Sequence, residues 1–213
     1  MPRRSHLGIA FASVIALAAC AQREGVETPS ASPAAANWRA TATSADRERI
    51  RGWRQAWLAA LDQVDSAADL NRIQAEGALL EPDAALAGAA LPPGPYKCRV
   101  IKLGSRSDAG RAFTAYPAFD CRVDDQGEVQ GFAKVSGSQR PVGLVFPDTG
   151  SREIFLGTLM LGDETRAIEY GQDGERDMAG LVERVGPRKW RLVLPYPRFE
   201  SVLDVIELVP AAA

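Results

Sequence analysis

The chain has 213 residues, 25 basic against 27 acidic, a formal net charge of −2, and 46% hydrophobic residues. With no surplus of Lys and Arg and no basic block, it has no electrostatic footprint for nucleic acid, where affinity scales with the phosphates neutralised. Its one histidine, His6, lies near the N-terminus.

Arg3 and Arg4 precede a 13-residue apolar run, Leu7 to Ala19, that ends in Leu17-Ala18-Ala19-Cys20. The run is shorter than the roughly 20 residues needed to span a bilayer. The order instead resembles a bacterial lipoprotein signal, with residues 1–19 removed and Cys20 lipidated. Ala21, rather than aspartate, then implies the outer membrane of a Gram-negative bacterium, facing the periplasm. Cleavage also removes His6, Arg3 and Arg4, so the mature chain carries −4 and has no imidazole. Ser-His-Asp and Cys-His nucleophile systems and His-ligated zinc are excluded on that ground. No Gly-x-Gly-x-x-Gly or Walker-type loop occurs, so no cofactor is indicated.

Residues 20–36 combine the lipidated cysteine with a tether of small and polar residues that include Pro29 and Pro33. Random-coil scaling gives such a tether an r.m.s. reach of about 20 to 25 Å. One domain, 37–213, is expected after it.

The segment 37–91 reads as helical. Thr43 and Asp46 form a start signal; Ile50, Trp53, Trp57, Leu61 and Val64 follow at spacings of three and four, which places them on one helix face. Ser66 and Asp69 repeat the signal, and Gly77 marks a stop. Two amphipathic helices are expected.

From Leu91-Pro92-Pro93-Gly94-Pro95 onward, short apolar or alternating runs separated by Gly, Pro and Asp turns predict strands. They fall at 96–103, 112–123, 129–135, 141–147, 152–161, 178–186, 189–196 and 201–209. The expected fold is mostly β with N-terminal helices (α+β): about eight antiparallel strands in 92–213 as a small closed barrel. A two-sheet β-sandwich is the alternative. In the last strand Val202, Ile206 and Leu208 fall on one side and Leu203, Val205 and Val209 on the other. A strand apolar on both sides needs a second cover, which the helices would supply from outside the barrel.

Cys98 and Cys121 remain after Cys20 is assigned to lipid. A hairpin pairing 98 with 121 centres between Ala109 and Gly110, inside a turn-rich segment, so a cross-strand disulfide is expected. Free buried thiols and a catalytic pair are the alternatives. Asp173-x-Glu175-x-Asp177 spaces oxygens as calcium loops do, but Met178 and Arg184 stand where glycine and the bidentate glutamate belong, and no metal is proposed. The connection at Ser138, Gln139 and Arg140 is a candidate binding surface for an anion, a glycan or a partner protein. Glu183 and Glu200 are the carboxylates a two-acid hydrolase would need.

Several motifs then carry a family resemblance: Pro95-Tyr96-Lys97-Cys98-Arg99, Ile101-Lys102-Leu103-Gly104, Gly137-Ser138-Gln139-Arg140-Pro141, Phe155-Leu156-Gly157-Thr158, Glu175-Arg176-Asp177 and Trp190-Arg191-Leu192. Together the chain is similar to the domain-of-unknown-function family numbered 4893, over about Trp38 to Pro210. The resemblance implies an exported Gram-negative protein and no assigned activity. The expectation is a non-catalytic envelope module that binds an envelope protein or glycan; the alternatives are a carrier of a small apolar ligand inside the barrel and a two-carboxylate hydrolase.

Overall fold

Thr43 and Ser66 cap helices as their spacing predicts. In the computed structural model, which describes residues 36–211, Thr43 precedes α2 (Ser44–Arg51) and its Oγ1 accepts from the Asp46 N–H at 3.1 Å. Ser66 precedes α4 (Ala67–Ala75) and accepts from the Asp69 N–H at 3.4 Å. The long helix expected from Thr43 to Val64 is broken at Gly52, where α3 (Trp53–Asp62) begins. Glycine is a poor helix former, and the Tyr196 ring lies against this position. One further turn, α1 (Trp38–Thr41), is capped by Asn37, and Gly77–Leu80 forms a 3₁₀ turn. The helical region is therefore four short helices and a turn, where the periodicity implied two helices. Among the described residues, no helix is long and apolar enough to cross a membrane.

Eight antiparallel strands follow: β1 (Gly94–Leu103), β2 (Phe113–Asp125), β3 (Gln130–Lys134), β4 (Gln139–Thr149), β5 (Arg152–Leu161), β6 (Asp177–Gly186), β7 (Lys189–Pro195) and β8 (Leu203–Pro210). Each pairs with the next, and β8 returns to β1 from Tyr96↔Pro210 to Leu103↔Leu203. The sheet is thus a closed barrel and not a sandwich, with no long open edge between first and last strand.

Alternation sorts the strand residues into two apolar layers. Tyr96, Phe132, Phe155, Leu192, Ile206 and Leu208 pack together inside the barrel. Ile101, Leu103, Ile154, Leu181, Leu203 and Val205 face outward under Trp38, Ile50, Trp57 and Leu79 of the helical region. The helices therefore cover the outside, as the two-sided strands require. Val202 is the exception to the expected sides: β8 starts only at Leu203, and Val202 packs with the outer cluster.

The lumen is filled. Phe132 and Phe155 meet edge to face, centroids 5.7 Å apart. Gly143 and Gly157 stand opposite each other across β4 and β5, and a Cβ on either would run into the backbone facing it. The strands approach closely there because neither residue carries a side chain.

Cys98 and Cys121 are bonded, with Cα atoms 5.9 Å apart. The expected register needs correction: Cys98 lies opposite Phe119, and Cys121 opposite Tyr96. The shift is two residues, so both cysteines keep the lumen face, and the bridge runs diagonally. Farther along the pair the register slips at a bulge between Arg99 and Ile101.

Candidate functional site

The barrel has a mouth, where β1 ends and β8 begins, and a base at the opposite end. At the mouth the wall opens between β6 and β7, whose ladder stops at Leu181↔Val193 although β6 starts at Asp177 and β7 runs to Pro195. Two residues beyond the last rung, position 179 falls opposite Pro195, which has no N–H to offer. Asp177 turns its backbone to other partners: its carbonyl accepts from Arg49 Nη2 at 2.9 Å, and its N–H donates to the Asp173 carbonyl at 2.8 Å. The result is a partly open cleft into the lumen with a volume of about 40 Å³. Val100, Leu159, Met178 and Ile206 form its apolar wall; Lys102, Gln139 and Asp204 supply polar groups.

Lys102 and Asp204 are partners in the β1–β8 register and point inward together. The Lys102 ammonium lies 3.2 Å from Asp204 and 3.2 Å from Glu200. Burial alone would lower its pKa, but Asp204 and Glu200 outweigh burial and hold it above the ordinary lysine value. Ser201 donates to Asp204, and Gln139 donates to Glu200 at 3.4 Å. Ser201 is buried and its hydroxyl is committed to the Asp204 carboxylate.

The loop between β7 and β8 closes over this cluster. Two of its non-glycine residues, Tyr196 and Glu200, sit in the left-handed region, at φ 47° and 66°. Such conformations persist only where the surroundings impose them. Here Arg106, from the β1–β2 loop, donates through its backbone to the Glu200 carbonyl and through Nη1 to the Pro197 carbonyl, each at 2.9 Å. The loop is thereby held with the rings of Tyr196 and Phe199 each 39% exposed.

Of the three residues singled out in the β3–β4 connection, only Gln139 lines the cleft. The Ser138 carbonyl accepts from the Gly162 N–H, and Arg140 donates to the carbonyls of Gly162 and Glu164, so these two hold the β5–β6 loop in place. Sequence reasoning missed Lys134, an inward lysine whose ammonium donates to the Ser136 and Gln139 carbonyls and sits 3.7 Å from the Phe119 ring centre. Burial, helped by Arg140, lowers its pKa to about 8.

Glu183 and Glu200 are not brought together. Glu183 lies on the outer face of β6, where Arg191 holds it at 2.7 Å, and Glu200 lies in the mouth loop. Arg191 also donates to the carbonyls of Ala78, Leu79, Glu81 and Pro82 and stacks 4.6 Å from the Trp57 ring, which pins the 3₁₀ turn to the barrel. Asp173 and Asp177 accept backbone N–H groups of Glu175 and Gly171 within their own turn. Among the described residues, no group of three or more His, Cys, Asp or Glu side chains could hold a metal ion. Cys20 lies outside the described residues.

No curated protein and no solved structure is detectably similar to the chain. A family model does match, over residues 38–208, a span that takes in every helix, all of β1 to β7 and the mouth cluster. The chain belongs to the family described as a domain of unknown function, DUF4893.

Proposed function

We propose that this protein is a lipid-anchored, non-catalytic binding module of the Gram-negative cell envelope, and that its mouth loop, 196–202, engages an envelope protein or glycan. One observation carries the reading: two aromatic rings are held out on a backbone kept in strained conformations by Arg106. Strain of this kind concentrates at binding and catalytic sites, and exposed Tyr and Phe rings are typical contact residues. The anchor rests on the Leu17-Ala18-Ala19-Cys20 pattern. The carrier alternative is disfavoured by the packed lumen, where the cleft offers about 40 Å³, far below the size of a ligand pocket. The hydrolase alternative loses its geometric basis with Glu183 and Glu200 apart.

The test is crosslinking and affinity capture from intact cells, comparing the natural protein with the double variant Tyr196→Ala/Phe199→Ala. The expected result is a captured species lost in the double variant while its melting temperature stays within a few degrees. Identical capture by both proteins, or no specific species with either, overturns the proposal.

A further inference from the structure

The helical side carries a second concavity, a groove of about 500 Å³ among α1, α2, the start of α3 and the first residue of β5. Its floor is apolar, with Trp38 and Ile50 buried against the barrel and Trp53 half-buried; its remaining lining residues are all arginines, Arg39, Arg47, Arg51 and Arg152. Asp148 serves two of these, at 3.1 Å from Arg39 and 2.8 Å from Arg152, and Glu48 pairs with Arg51. Arg47 donates only to the backbone carbonyls of Arg39 and Ala42. Four cations thus meet two carboxylates, in a chain whose overall charge is −2. The Arg39 and Arg51 side chains are 61% and 67% exposed, and the Arg39 guanidinium stands 4.3 Å over the Trp38 ring.

A guanidinium fork matches the oxygens of a phosphate. The position in the chain points the same way. Trp38 stands 18 residues after Cys20 in the chain. We infer that this groove is a membrane-contact site that seats the phosphates of anionic lipid headgroups. The inference rests on the lipid anchor proposed above and deepens it.

The experiment separates the groove from the anchor. The mature chain from residue 20, carrying Cys20→Ala so that no lipid is attached, is mixed with vesicles of phosphatidylcholine alone or with 30% phosphatidylglycerol. Binding is read by sedimentation and by tryptophan emission. Binding is expected only with phosphatidylglycerol, and Arg39→Gln/Arg51→Gln should weaken it by about 30-fold, since each arginine near an anionic surface contributes about 1 kcal/mol. Both side chains are exposed, so the variant should fold, which circular dichroism checks. Equal binding to both vesicle types, unchanged binding by the variant, or equally tight retention on soluble polyphosphate would overturn the inference. Failure of the anchor itself would appear elsewhere, as absent lipid labelling of Cys20 in cells, with vesicle binding intact.

Discussion

Glu153 is the inward residue at the base end of β5, and its Oε2 is buried with no hydrogen-bond partner among the described residues. Burial raises its pKa to about 7. The folded protein therefore holds a proton that the unfolded chain releases near the ordinary glutamate value, about 4.3. Between those values the folded state binds more protons, so stability falls as pH rises, and the loss is complete above about pH 7. Glu153→Gln removes the titration. Discounted for partial exposure, the gain should be on the order of 1 to 2 kcal/mol at pH 8, shrinking to nothing near pH 4. Thermal melts of both proteins across that range check it; a difference independent of pH would sink the idea. Arg191 offers the opposite case, a buried cation whose partners are all fixed. Arg191→Met strands the Glu183 carboxylate and leaves the carbonyls of the 3₁₀ turn without their donor. The expected cost is about 3 to 5 kcal/mol. Adding Glu183→Leu should recover part of it but not all, because the carbonyls stay unsatisfied. Denaturant titration of the single and double variants measures both, and a loss below 1 kcal/mol for Arg191→Met would show that the pair does not hold the turn.

Among the elements, the disulfide joins β1 to β2 across a sequence separation of 23, and the chain-entropy model gives closure of such a loop about 3 kcal/mol. Cys98→Ala/Cys121→Ala should lower the melting temperature by about 6 to 12 °C while the far-ultraviolet spectrum is kept, since the filled lumen still drives closure. Loss of the β spectrum altogether would mean that the bridge, and not the core, holds the barrel. The bridge was legible in the sequence because the hairpin's turn residues and its two cysteines agree to within two residues; its diagonal geometry was not, because register depends on where the turn centres. The strands were equally legible: Gly, Pro and Asp punctuate them, and each predicted span lies within a few residues of the observed one. The break at Gly52 was not anticipated, because the apolar spacing runs unbroken from Ile50 to Val64 across it. The site was the least legible part. Lys102 lies 102 residues before Asp204 in the chain and meets it and Glu200 only because β8 closes on β1, and the left-handed turns at Tyr196 and Glu200 have no glycine to announce them. Gln139 lines the candidate cleft and drew attention in the sequence because it borders a turn, where function is often placed.

At the scale of the whole molecule, one compact unit contains all the described residues, and both apolar clusters lie within it. Nothing in that unit resembles a helical membrane span. In the proposed arrangement the lipid at Cys20 is the main attachment and the arginine groove an additional, weaker contact. This arrangement predicts a graded response in cells. Cys20→Ala should abolish incorporation of a fatty-acid label and remove the protein from the outer-membrane fraction, whereas Arg39→Gln/Arg51→Gln should leave both unchanged, since the anchor tolerates loss of the weaker contact. Combining the three substitutions should add no further loss of membrane association in cells beyond that of Cys20→Ala. Fractionation with immunoblotting and metabolic labelling reads all three proteins side by side. A Cys20→Ala protein that is still processed at residue 19 and still sediments with the outer membrane would show that attachment comes from elsewhere in the chain.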